Sequence, residues 1–279
     1  MGQEGLGFGV GHAVIEPPTL ESVDVRAVLA ANLPDLAVTS VVPLGEGLDN
    51  VAFEVDGSLV VRFRKDGDVA AEAAVLRAVA AVSPVAVPVP VFASGDRMAY
   101  RKLPGVPPAE VDVPPPGVLD TLIGFLRVIQ ALEVDVPVDV DDPAELLAEA
   151  AGRLGYVPAA YRADVTAFLA APPPGRDHPV AFSHNDIGHE HVLVADGAVS
   201  GVIDWTDAAV VDPAYDHGLL FRDLGPAALA ATPADLRERA VFHARCALLE
   251  DLAYGTEHGI DLYVRKSLAS LRWVFSPLR

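Results

Sequence analysis

Six residues, Leu103-Pro104-Gly105-Val106-Pro107-Pro108, divide the chain into two stretches of different periodicity. Proline fixes φ and lacks an N–H, so no helix interior or central strand crosses this joint. Ahead of it the apolar runs are short and β-rich, at residues 38–44, 51–55, 59–63, 89–93 and 97–103. Turns at Asp56-Gly57 and Ser94-Gly95-Asp96 separate them. One Ala-rich helix at 70–82 interrupts these runs, and a roughly helical spacing of Val23, Val25, Val28, Leu29 and Leu33 precedes them. Behind the joint the pattern turns helical, over 118–132, 143–154, 158–171, 213–224, 233–254 and 260–275. Several of these segments open on proline, which the first helical turn tolerates. Pro172-Pro173-Pro174-Gly175 breaks the series, and three short strand-like runs follow at 180–182, 191–194 and 200–203. The expectation is an α+β chain of two lobes, a small β-rich lobe at 1–103 and a larger, mainly helical lobe at 104–279.

Of the 279 residues, 51% are hydrophobic, enough for a sizeable core. No apolar run reaches the ~20 residues of a membrane span. Met1 to Val14 lack Lys and Arg, so they do not read as a secretory signal, and a cytoplasmic protein is expected. Residues 1–18 read as a loose lead-in. Its Gly5-Leu6-Gly7-Phe8-Gly9 alternation is not followed by a helix and does not qualify as a phosphate loop. A single cysteine, Cys246, excludes an internal disulfide and a cysteine-based zinc site, and it reads as a buried small hydrophobe. The net charge of −19 argues against nucleic acid as a partner. It suits solubility, and it also suits a cationic small molecule.

The densest polar segment is Ser183-His184-Asn185-Asp186-Ile187-Gly188-His189-Glu190-His191. Eighteen residues after Asp186 comes Asp204, in Gly201-Val202-Ile203-Asp204-Trp205. Both acids sit at ends of apolar runs joined by a turn at Ala195-Asp196-Gly197, and a hairpin brings them to the same end. Phosphoryl transfer uses two carboxylates in this way. One orients or deprotonates the attacking hydroxyl, and the other holds a Mg²⁺ that neutralises phosphate charge.

His184-Asn185-Asp186, then Ile203-Asp204-Trp205, then Asp212-Pro213-Ala214-Tyr215-Asp216 resemble the signature of the aminoglycoside phosphotransferase family. That family shares the protein-kinase-like fold with choline kinases and fructosamine kinases. The resemblance runs over roughly residues 40–260 by the order of elements. It implies a small-molecule kinase that moves the γ-phosphoryl group of ATP or GTP, with Mg²⁺, to a hydroxyl of an antibiotic or a small metabolite. It further implies Asp186 as the catalytic base, Asp204 as a metal ligand and His184 as a structural residue of the loop. Asp212 and Asp216 then cap and brace the following helix. One position departs from the family, which usually carries Asn as a second metal ligand five residues beyond the base; here it is His191. Imidazole is a softer ligand than Mg²⁺ prefers, and a place near the metal is expected for it.

On the nucleotide side, Leu44-Gly45-Glu46-Gly47-Leu48-Asp49-Asn50 lies between two strands, and Gly45 and Gly47 permit a hairpin close enough to cover phosphates. By the resemblance, Arg62 takes the place of the kinase lysine, a change that bidentate phosphate binding allows. Lys65 is the fallback cation, Glu72 the ion-pair partner of Arg62, and Tyr100 to Lys102 the backbone that meets the base. On the acceptor side, Asp207, Asp223, Glu250, Asp251, Glu257 and Asp261 either bind amines of a cationic acceptor or form a solvated helix face. Trp205, Trp273 and Phe275 read as packing.

Two other readings stand beside the kinase. The histidines His184, His189 and His191, with Asp186 and Asp204, suit a metal-dependent hydrolase. The His191 departure suits a non-catalytic nucleotide-binding relative. The oligomeric state is not legible.

Overall fold

The computed structural model describes residues 18–47, 49–108 and 116–275; the Gly5–Gly9 alternation and Leu48 lie outside them. The chain opens on α1 (Val25–Asn32), whose first turn is capped by the Asp24 carboxylate, 3.0 Å from the Ala27 N–H. That cap sets the start of the helix at Val25, so Val23, the first residue of the helical spacing, lies ahead of it. Five strands then build one antiparallel sheet: β1 (Val41–Glu46), β2 (Asn50–Val55), β3 (Leu59–Arg64), β4 (Pro90–Ser94) and β5 (Arg97–Arg101), ordered β1-β2-β3-β5-β4. Helix α2 (Ala70–Ala80) is inserted between β3 and β4.

β3 is central and buried along most of its length. Strand alternation divides its side chains between two faces. Val61 and Phe63 join Val51, Phe53, Ala99 and Leu29 in a core under α1. Val60 and Arg62 face the other way and line a cavity shared with Asp204. The β-run and helix expected ahead of residue 103 are thus present, with strand ends shifted by a few residues.

Past the proline joint come α3 (Val118–Ile129), α4 (Pro143–Gly152) and α5 (Arg162–Leu169), with single 3₁₀ turns before α5. Four short strands follow. β6 (Ala181–Ser183) pairs with β9 (Ala209–Val211), and β7 (Val192–Ala195) pairs with β8 (Ala198–Val202) through the turn at Asp196 and Gly197, both at positive φ. The chain continues with α6 (Ala214–Leu224), α7 (Pro226–Ala231), α8 (Arg237–His258) and α9 (Asp261–Val274). β9 and α7 were not expected. Three residues are too few to show alternation, and six between breaking residues too few to show a helical period. Cys246 is buried in α8, and burial pushes its thiol up to about 12. Trp205 is buried against Phe125 and Phe182. Among the described residues no helix is long and apolar enough to cross a membrane.

The joint itself is anchored. Val106 exchanges two backbone hydrogen bonds with Val194 of β7, at 3.1 and 2.9 Å, and the Ser200 hydroxyl donates to the Pro104 carbonyl at 2.6 Å. Gly105 (φ 112°) lies so close to β7 that a Cβ would come within 2.6 Å of the Val194 oxygen. The connection between the lobes is therefore laid on the hairpin that carries the candidate site.

Helices α6 and α8 cross at similarly close range. A Cβ on Gly218 would meet the Ala240 carbonyl oxygen at 2.6 Å and the Ala244 nitrogen at 3.1 Å. Gly218→Ala is expected to lower stability by about 1–3 kcal/mol, the usual cost of overpacking, despite its better helix propensity. Denaturant unfolding measures this, and an unchanged or raised midpoint would contradict it.

Candidate active site

After β6 the chain turns sharply through Ser183-His184-Asn185-Asp186. Asn185 has φ 65°, and Asp204, after β8, has φ 60°. Asn and Asp tolerate this region better than other non-glycine residues, yet it still costs energy that surrounding contacts must offset. The contacts are present. Asp216, fully buried on α6, accepts hydrogen bonds from the His184 and Asn185 backbone N–H groups, each at 2.9 Å. Burial pushes its carboxyl up to about 7, against the pull of those two donors. His184 is buried and its two ring nitrogens are both committed. Nε2 lies 3.0 Å from the Ile203 carbonyl, which can only accept, so Nε2 carries the proton. Nδ1 then accepts from the Asp186 N–H at 3.3 Å. Burial, with His191 nearby, lowers the His184 pKa to about 3, so the ring is neutral. Asp212 caps α6 through the Ala214 N–H at 3.0 Å and also binds Arg239 and His243. Asp216 differs from the expectation of a helix brace: it reaches back to the loop and not along its own helix.

The hairpin brings Asp186 and Asp204 to one end, with His191 between them. His191 Nδ1 is 2.7 Å from the Asp186 backbone oxygen and 3.2 Å from its carboxylate; Nε2 is 3.8 Å from the Asp204 carboxylate. Both carboxylates stay partly open, with side chains 40% and 43% exposed. Burial of the surroundings raises Asp186 to about 7; His191 opposes this, while Glu190 and Asp207 add to it. For Asp204, burial acts upward, but His191, Arg62 and the Thr206 hydrogen bond outweigh it and hold the group below the usual range. His191 is raised: burial acts downward, and the acids Asp186, Asp204 and Glu190 overcome it.

Arg62 and Glu72 form a direct ion pair, both side chains buried. Glu72 is raised by burial, with Arg62 pulling it down. Arg62 Nη1 also lies 3.6 Å from the Asp204 carboxylate. Next to this pair is a cavity of about 480 Å³ between the sheet and the hairpin, lined among others by Gly45, Gly47, Arg62, Tyr100, Lys102 and Asp204. Lys65 does not point into it. Its ammonium ties the glycine loop together, 2.8 Å from Glu46 and 2.8 Å from the Gly47 carbonyl. The Lys102 ammonium pairs with Glu54, and the Tyr100 hydroxyl is pushed up to about 12 by burial.

The acids beyond Asp186 are mostly engaged. Arg222 binds Asp223 at 2.7 Å and Asp251 at 2.7 Å, and Lys266 binds Asp251 at 3.0 Å and Glu190 at 2.6 Å. Asp223 further accepts from the His189 N–H at 2.9 Å. Gly188 makes room for this fold of the loop, because a Cβ there would stand 2.9 Å from the Glu190 carboxylate. Glu250 pairs with Arg153 and Glu257 with the Tyr156 hydroxyl. The acidic helix face is thus largely neutralised internally. Lys266 is not legible in the sequence, since its partners Glu190 and Asp251 lie on other elements and leave no periodic signal.

The histidine-based metal site does not assemble. His184 has no free ring nitrogen. Among the described residues no group of three or more His, Cys, Asp or Glu is placed to hold a metal ion, which a zinc hydrolase requires.

The carboxylate pair, the buried Arg–Glu pair and the glycine loop at a cleft between sheet and helices define a kinase-like phosphotransferase architecture. The model of the phosphotransferase enzyme family matches residues 40–249. The chain belongs to that family and is a phosphotransferase. No curated protein sequence matches it. Among solved structures it is similar to the GDP complex of an aminoglycoside 2'-phosphotransferase-IIIa (21% identity, 88% of this chain and 96% of that one, TM-score 0.67). It is also similar to the ADP-bound aminoglycoside phosphotransferase APH(2'')-Ib (16% identity, 90% and 97%, TM-score 0.55). A third similar structure is macrolide 2'-phosphotransferase MphH from Brachybacterium faecium (22% identity, 91% and 97%, TM-score 0.53). These likenesses fix the two-lobed protein-kinase-like fold.

Asp216→Asn replaces one acceptor oxygen with an amide NH₂ that faces a backbone N–H. The expected result is a loss of about 1.5–3 kcal/mol in unfolding free energy together with a large fall in turnover. An active, equally stable variant would show that the two N–H bonds do not set the loop.

Proposed function

We propose that the protein transfers the γ-phosphoryl group of ATP or GTP to a hydroxyl of a small molecule, an antibiotic or a metabolite. The observation that carries this reading is the placement of Asp186 and Asp204 at one end of the β7–β8 hairpin, with Asp204 and Arg62 in the wall of one cavity. Arg62, held by Glu72, meets the phosphates as a fixed fork of donors. The backbone of Gly45 and Gly47 covers them, and the strand at Tyr100 to Lys102 borders the base. Asp186 lies across His191 from Asp204; there it orients the acceptor hydroxyl and takes its proton.

The residues present fit a divalent cation. Asp204 offers a half-exposed hard oxygen donor. His191 Nδ1–H donates to the Asp186 carbonyl and Nε2 faces Asp204, so a bound cation would take the place of the proton that the surrounding acids favour on that nitrogen. Asp204 and His191 would hold Mg²⁺, which supplies charge neutralisation for the phosphates when bound. Mg²⁺ keeps several waters and needs few protein ligands, so two suffice. Structural relatives carry GDP or ADP, so GTP and ATP both belong in the test.

The first test is nucleoside-triphosphate turnover with Mg²⁺ across aminoglycosides, macrolides, sugars and amino alcohols. Acceptor-dependent diphosphate release is expected, and Asp186→Asn should lower kcat by at least about 10²-fold with an unchanged melting temperature. Turnover equal to that of the parent would remove Asp186 from this role.

A pH profile supplies an independent check. The Asp186 pKa is raised to about 7, so its basic form is depleted below that value. kcat/KM should climb about tenfold per pH unit below 7 and level off above it. A flat profile between pH 5.5 and 7 would contradict the assignment.

A further inference from the structure

A polar chain bridges the two lobes beside Asp204, and neither the glycine loop nor the acid pair accounts for it. Asn50 opens β2, and its Nδ2 lies 3.1 Å from the Thr206 hydroxyl on the other side of the cleft. That hydroxyl is 3.0 Å from Asp204 Oδ1 and 3.4 Å from Arg62 Nη1. Elementary chemistry sets the proton directions. An ionised carboxylate only accepts, so Thr206 donates to Asp204. The Thr206 oxygen is then left to accept, and Asn50 and Arg62 donate to it. The amide of Asn50 is thereby fixed, with Oδ1 turned away from Thr206.

This Oδ1 is buried and has no hydrogen-bond partner among the described residues. Asn50 nevertheless lines the cavity together with Gly45, Gly47, Arg62 and Asp204. A buried amide oxygen without a donor costs on the order of 1–3 kcal/mol. A ligand that brings a donor to this point would relieve that cost. On the nucleotide reading proposed above, on which this inference rests, the nearby ligand is a triphosphate. Its ionised oxygens have no proton to give. A water bound to a divalent cation does, and the cation sharpens it as a donor.

We infer that Asn50 accepts, through Oδ1, a hydrogen bond from a water in the coordination shell of the divalent cation at Asp204, while its Nδ2 and Thr206 hold the Asp204 carboxylate in place. Asn50 and Thr206 are positioning residues, and they join the metal site to the nucleotide lobe. Partners in this outer layer govern metal affinity without touching the ion.

The experiment is equilibrium binding of a fluorescent, non-hydrolysable nucleoside triphosphate with and without Mg²⁺, on the full chain. The variants are Asn50→Ala, Thr206→Val and Thr206→Ser, each with a melting curve. The parent protein should bind more tightly with Mg²⁺. Asn50→Ala and Thr206→Val should each raise the half-saturating Mg²⁺ concentration by about tenfold or more, with binding in the absence of Mg²⁺ unchanged. Thr206→Ser, which keeps the hydroxyl, should behave as the parent and shows that the site tolerates substitution. Equal weakening with and without Mg²⁺ would overturn the inference and turn Oδ1 toward a ribose hydroxyl; no weakening in Asn50→Ala would overturn it as well. If the parent itself binds no nucleotide, the proposed function fails and the inference falls with it. If the parent shows the Mg²⁺ effect and the variants match it, the inference alone fails.

Discussion

One buried carboxylate determines where the chemistry can stand. Asp216 projects from α6 and receives two consecutive backbone N–H groups of the loop after β6. Those bonds help to hold Asn185 in its left-handed conformation, one residue before Asp186. His184, pressed against Trp205, then ties the same loop to the end of β8. Without the carboxylate, the positive φ at Asn185 would rest on its amide's bond to the Asp207 carbonyl and on His184 alone.

The second constraint is the coupling between sheet and helices. Arg62 is taken from water in the centre of the sheet and survives there because Glu72 neutralises it. Pairing a buried charge is weak as a source of stability, but breaking such a pair is costly. Its value here is placement: Arg62 remains aimed at the Asp204 side of the cavity. The joint at Gly105 and Val106, laid against β7, gives both lobes a common fixed strand.

Much of this was legible from the residues. The change of periodicity at Pro104 separated strands from helices, and turn residues such as Asp56-Gly57 and Asp196-Gly197 marked hairpins that exist. Asp186, His191 and Asp204 were bracketed by a motif whose members lie close in sequence, so their meeting at one hairpin end could be foreseen. Glu72 meets Arg62 because α2 follows directly on β3 in the chain and packs back against it. The rest depends on distance in sequence. Thr206 meets Asn50 across 156 positions, and Lys266 meets Glu190 across 76. A lone polar residue carries no period from which such a partner can be read. The resemblance implies a helix brace for Asp216; only the packing of α6 against the loop shows where its oxygens go.

The ion network of Arg222, Asp223, Asp251, Lys266 and Glu190 has a consequence for how this enzyme can diverge. Each charge in it neutralises at least one other, and Arg222, Asp223 and Lys266 are almost wholly buried. A single replacement strands a partner without compensation, so effects at neighbouring positions are far from additive. Retuning of this network during evolution must therefore proceed by paired or multiple changes. Exposed neighbours such as Asp261 remain free to drift one at a time.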